Sequence, residues 1–213
     1  MSSSHKLRLR LLKKYAQRKL ALLPISSPTP GSMGTGKQPL TANGYKGAVK
    51  GLGEIRKLFY RYPGSNVGVA TGAVSRLLVL DIDPRHDGTK TLQQAEKKYG
   101  RLPKTWRSET SDGGMHLFFR WPTGLRMTRD TTGKLFGPGV DILGDASYAV
   151  LPPSVHASGH IYRWANTKRL SRRPAKLPRK WVGHLKDAAR AVVASPRSGT
   201  RSPDVDSLPI PEG

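Results

Sequence analysis

The chain has no cysteine among its 213 residues. That excludes a disulfide framework, thiol nucleophiles and any cysteine-ligated zinc site, so no zinc is expected. It also fits a reducing compartment such as the cytosol. Acidic residues are scarce: 14 Asp and Glu stand against 37 Lys and Arg, a formal net charge of +23. This balance says little about fold but points to a polyanionic partner, nucleic acid above all. Apolar runs of membrane-spanning length are absent as well. The stretch KLRLRLLKKYAQRKLALLPI (6–25) is too broken by charge for a signal-peptide core. It reads as a basic amphipathic helix facing nucleic acid, with a membrane-surface helix as the alternative.

A complete phosphate-binding loop is missing too. GSMGTGKQPL (31–40) has Gly31 and, after four intervening residues, Gly36-Lys37, but Gln38 stands where a Mg²⁺-ligating hydroxyl is required. Pro39 also pushes Gln38 toward extended geometry, where the motif needs a helix start. What remains is a loop presenting one cation, Lys37. The carboxylates cluster centrally: residues 1–50 carry ten basic and no acidic side chains, residues 51–150 fifteen basic and ten acidic.

The length suits one domain, expected over 1–185. Leu9, Leu12, Ala16, Leu20 and Leu23 follow helical steps and predict a helix over 6–22, closed by Pro24. A Ser/Pro/Gly loop follows over 25–44, then a second helix over 52–62. NVGVATG (66–72) and RLLVLDID (76–83) read as buried strands, and TLQQAEKKYG (91–100) as a helix with Gly100 as its C-cap. Three strand-like runs come next, 114–121, 139–145 and 147–153, with a short one at 160–164. A helix over 177–193 precedes a Pro/Ser-rich tail, 194–213, expected to be disordered. Mixed strands and helices around a mainly antiparallel sheet give an α+β or α/β domain.

LLVLDIDP carries the most chemistry. Alternate strand residues share a face, so Asp81 and Asp83 project together, about 7 Å apart along the chain. Two carboxylates leaving an apolar strand are costly without a positive partner, and a divalent metal is an economical one. A calcium loop fails at Arg85, His86 and Leu92, and a phosphatase motif fails at Arg85. A sugar-nucleotide Asp-x-Asp and a pair of turn-forming aspartates remain open on this element alone. Downstream, SDGGMHLFF places Gly113 and Gly114 before His116, allowing close backbone approach to a ligand and a donor to phosphate. GPGVDILGD adds Asp141 at the start of an apolar strand, whereas Asp145 reads as a turn residue.

The ordered set VLDID, GMH and VDILGD resembles the bifunctional DNA primase/polymerase domains of the archaeo-eukaryotic primase superfamily, found in plasmids, phages and integrated elements. GKQPL, YPGSNVGVATG and LPPSVHASGHIYRW extend the likeness, which covers about residues 8–165. The resemblance implies an RRM-like antiparallel sheet backed by helices, with an N-terminal α/β unit as the other wall of an open cleft. It implies that Asp81, Asp83 and Asp141 hold two Mg²⁺ or Mn²⁺ ions and act in catalysis, and that His116 binds the incoming triphosphate. Gly113, Gly114, Lys37, Ser154 and His156 are further nucleotide-site candidates; Lys13, Lys14, Arg18, Lys19, Arg172 and Arg173 are candidates for nucleic-acid contact. Expected partners are a single-stranded DNA template, a primer strand, NTP or dNTP, and a helicase acting in trans, with no membrane. A cytoplasmic place in a bacterial or archaeal host follows. A non-catalytic nucleic-acid binder is the alternative that the charge alone would support.

Overall fold

The computed structural model describes residues 3–28, 36–130 and 133–194. Residues 31–35 of the near-miss loop and the tail expected beyond 194 lie outside these. The chain folds into two antiparallel sheets with helices against them, an α+β architecture.

The first unit contains α1 (Ser3–Gln17), β1 (Leu22–Ile25), α2 (Leu52–Arg61) and β2 (Asn66–Ala70). Its sheet is completed late in the chain by β7 (Tyr148–Leu151), in the order β1-β2-β7. The helix expected over 6–22 is therefore shorter, and its last apolar residues belong to a strand. The break is a turn at Arg18-Lys19, where Lys19 takes φ 57°. Beyond it Leu22–Ile25 is buried at every position. A short, wholly apolar run has no period that separates buried strand from buried helix. Pro24 fits because its backbone faces the side of β1 away from β2, where only isolated bridges to Val49 and Pro39 adjoin it and a missing N–H is tolerated.

The second unit contains β3 (Leu77–Ile82), α3 (Gly88–Tyr99), β4 (Trp106–Glu109), β5 (Met115–Arg120), β6 (Val140–Leu143) and β8 (Arg163–Trp164). Its order is β6-β3-β5-β4-β8, each neighbour antiparallel to the next. Strands β3 and β4 are joined through α3 with β5 between them, a split βαβ. With β6 on the far side of β3, this is the expected RRM-like sheet. β4 is a strand that the sequence reading leaves out: only four residues long, it alternates buried and exposed positions. Gly100 caps α3 as expected, its N–H bonded to Glu96 O.

Central β3 is apolar on both faces because both are covered. Leu77 and Val79 meet Trp106, Phe118, Trp164 and Tyr15 on one face. Leu78, Leu80 and Ile82 meet Phe119, Ala95, Trp181 and Leu185 on the other. Among the described residues no helix connects β5 to β6; the helix that covers this face is α4 (Arg179–Ala194). By strand alternation Asp81 lies on the Leu77/Val79 face, at the end where that core gives way to a cleft. Among the described residues no helix is long and apolar enough to cross a membrane.

Candidate active site

Three residues distant in sequence form one row across the second sheet. Asp81 on β3 pairs with Asp141 on β6 and, on its other side, with His116 on β5. Directly opposed residues of antiparallel strands share a face, with Cβ atoms about 4.5–5.5 Å apart. His116 is buried, and its Nε2 lies 3.5 Å from Asp81 Oδ2. Asp83 follows the last residue of β3 and opens a short 3₁₀ turn over Pro84–His86. Its N–H donates to Gly139 O at 2.8 Å, tying it to the residue before β6. Gly139 sits at φ +72°, and a Cβ there would come within 2.7 Å of Asp83 O and 2.4 Å of His86 O. That close passage seats Asp83 beside the strand that carries Asp141.

The row forms part of an open cleft of about 410 Å³, whose lining includes Lys37, Asp81, Asp83, Arg85, Gly114, His116, Asp141 and Tyr162. A family model for the bifunctional DNA primase/polymerase, N-terminal domain matches residues 12–180. The chain belongs to this family. No curated protein matches it. The matched span contains every lining residue just named, so in this primase/polymerase domain the three sequence motifs meet in one cleft.

The charges of the row are unequal. Burial pushes the Asp81 carboxyl up, but His116 by charge and hydrogen bond, with Lys37 further off, brings it below its ordinary value. Asp83 is held well below the carboxylate range, chiefly by hydrogen bonds from the Arg85 side chain. Asp141 goes the other way: burial raises it, and the Asp81 charge opposite raises it further. Like charges directly opposed destabilise a strand pair by a few tenths to about 1 kcal/mol. Asp141→Asn should therefore raise the melting temperature of the metal-free protein, by about 1–4 °C at neutral pH. Thermal unfolding measured by circular dichroism checks this. An unchanged or lower value would mean that the two carboxylates do not strain each other.

The other candidates divide. Gly114 lines the cleft, yet its smallness serves packing: a Cβ would meet Thr110 Oγ1 at 2.4 Å and Ile82 O at 3.1 Å. Gly113, at φ +74° with open space around it, shapes the turn before β5 and is not part of the lining. Ser154 is turned inward: its Oγ accepts from Val67 N–H at 2.8 Å and donates to Val67 O at 3.3 Å. That hydroxyl fastens the chain after β7 to β2. His156 sits outside the lining, with Nδ1 accepting from Ser158 N–H and its ring edge-on to Tyr162 at 6.3 Å. Burial and then Lys37 lower its pKa, which puts it within electrostatic reach of the cleft. Asp145, read as a turn residue, accepts from Ala73 N–H.

Arg85 and Tyr162 are cleft residues that sequence reasoning missed. Arg85 stands two residues after an Asp at a turn, where a side chain can reach back; that spacing was the available signal. Tyr162 is buried below the cleft, and burial raises its pKa to about 12, with Asp81 adding to the shift. Nothing in its sequence context separates it from a core tyrosine. Arg18 at the end of α1 donates to Ser171 O. This ties the basic end of α1 to the turn that leads into Arg172 and Arg173, 153 positions on in the sequence.

Proposed function

We propose that the chain is a DNA primase/polymerase that starts or extends strands on a single-stranded DNA template, using nucleoside triphosphates. The Asp141–Asp81–His116 row on one sheet face, open to a cleft with Lys37 on its rim, carries this reading. A binder of nucleic acid has no use for two opposed carboxylates, which repel phosphate.

The donor set fits hard divalent cations. Asp81, Asp83 and Asp141 supply carboxylate oxygens of the kind that Mg²⁺ and Mn²⁺ prefer. Among the described residues no three His, Asp or Glu side chains form a ready-made metal cage. Mg²⁺ usually takes one or two carboxylates and completes its shell with water and substrate phosphates. When bound in such a pair, these ions favour ionisation of an attacking hydroxyl and offset charge on departing pyrophosphate. The chain's own part is to hold Asp81 ionised beside His116, to keep Asp141 facing it, and to present Lys37 to the triphosphate. A plasmid, phage or integrated element is the replication setting that this activity suits.

His116→Ala should raise the nucleotide KM about tenfold, the loss of one charge-assisted hydrogen bond, while template affinity stays the same. Steady-state kinetics alongside template binding checks this. Unchanged kinetics would leave His116 a packing partner of Phe118 and Tyr162, whose rings lie 6.0 Å away. The reading as a whole is tested by incubating the protein with labelled nucleotides, Mn²⁺ and single-stranded template, with and without a primer. Product longer than the primer supports it; binding without any product supports the binder instead.

The basic surface where α1 meets the 167–171 turn is assigned to template phosphates. Each phosphate neutralised on a single strand adds about 0.7 to the slope of log K against log salt. Changing Lys13, Lys14, Arg18 and Lys19 to Gln should flatten that slope by about 2–3 and weaken binding on all sequences alike. Salt titrations of binding would show it. Matching slopes would leave this surface as solvated charge that keeps the protein soluble.

A further inference from the structure

Asp83 already has a cation. Its Oδ1 accepts from Arg85 N–H at 3.0 Å and from Arg85 Nε at 3.1 Å, and its Oδ2 accepts from Arg85 Nη2 at 2.9 Å. His86 Nδ1 lies 3.1 Å from the same Oδ2. A carboxylate only accepts, so that ring nitrogen donates. The two oxygens offer about four lone-pair positions, so these four contacts fill the carboxylate. A metal ion can bind Asp83 only if a donor leaves. The backbone N–H is fixed by the turn, but the others sit on mobile side chains, Arg85 58% and His86 69% exposed. A pair whose guanidinium is this exposed to water costs far less to give up than a buried one.

The guanidinium has somewhere to go. Its Nη1 already leans toward Asp112 Oδ2 at 3.4 Å, and Arg85 lines the cleft that Lys37 also lines. Its planar fork suits phosphate oxygens as well as it suits a carboxylate. A divalent ion arriving at Asp83 repels it, and a triphosphate brought to the same ion attracts it.

We propose that Arg85 is a resident counter-ion of Asp83 that a divalent cation displaces, and that the released guanidinium then binds the nucleotide's triphosphate. This rests on the primase/polymerase reading of the cleft. Without metal, Arg85 neutralises the Asp83 carboxylate; with metal and nucleotide, it becomes a substrate contact. The same residue thus couples cation entry to triphosphate capture.

The test is Mn²⁺ binding to the full chain without nucleotide, followed by loss of the free-ion paramagnetic resonance signal. Arg85→Gln should bind Mn²⁺ about fivefold more tightly than wild type, since nothing has to be displaced. Arg85→Lys keeps the charge but loses the fork, and should also bind more tightly. In steady state Arg85→Gln should raise the nucleotide KM about tenfold, more than it lowers kcat. Unchanged or weaker Mn²⁺ binding in Arg85→Gln would overturn the exchange. So would an Arg85→Lys variant that matches wild type while Arg85→Gln tightens, which is a through-space charge effect. Asp83→Asn separates the two levels. If it leaves wild-type Mn²⁺ binding untouched, the metal-site reading itself fails; if it weakens binding but Arg85→Gln does not tighten it, only the exchange fails.

Discussion

Asp81→Asn is expected to abolish nucleotide incorporation, by about a thousandfold or more, while template binding stays intact or tightens. Asp81 is the centre of the row, opposed by Asp141 on one side and His116 on the other. Neutralising it removes the carboxylate that both neighbours share. Metal-assisted charge stabilisation is worth several kcal/mol, and each 1.36 kcal/mol is tenfold in rate. Binding should not suffer, because the change removes negative charge from a cleft that must admit phosphates. Primer extension and template binding measured on the same preparation check both halves. Losing both together would mean that the variant misfolds or that Asp81 is structural.

The second large effect concerns the far face of the same sheet. Trp181→Ala should destabilise the domain by about 3–5 kcal/mol, lowering the melting temperature by roughly 10 °C. Trp181 is fully buried, donates from Nε1 to Gly100 O at 2.7 Å, and packs with Phe136 and Tyr99 at ring distances of 4.8 and 5.7 Å. It covers the β3 face opposite the Asp141–Asp81–His116 row, where the described residues between β5 and β6 form no helix to do so. The family match ends at residue 180, one position before it. The folding unit therefore reaches past the matched span, and a loss of under about 1 kcal/mol in calorimetry would argue against that.

Those two residues also mark what the sequence made legible. Asp81, His116 and Asp141 were readable because their chemistry is out of place: charged or titratable groups set in apolar strands must have a reason to be there. The α+β class was readable from strand and helix periods. The register that aligns the three motifs was not, since pairing is decided by contacts between segments far apart in the chain. β1 was missed because Leu22–Ile25 is apolar throughout and merges with the helix before it. β4 was missed because four residues, half of them exposed, carry too short a period. A hydroxyl gives no sign in sequence of which way it faces; that of Ser154 faces inward and fastens the segment after β7 to β2. Asp83 and Arg85 show the converse. Their pairing is local in sequence, yet its meaning appears only when both are seen to line the cleft.

Templated nucleotidyl transfer at the Asp141–Asp81–His116 row, as proposed, can be read from single-nucleotide incorporation with Mn²⁺ on four primed single-stranded templates that differ only in the templating base. Each template is expected to direct addition of its complementary nucleotide, addition is expected to need the divalent ion, and Asp81→Asn should remove it. Addition that ignores the template base, or that persists in Asp81→Asn, would contradict it.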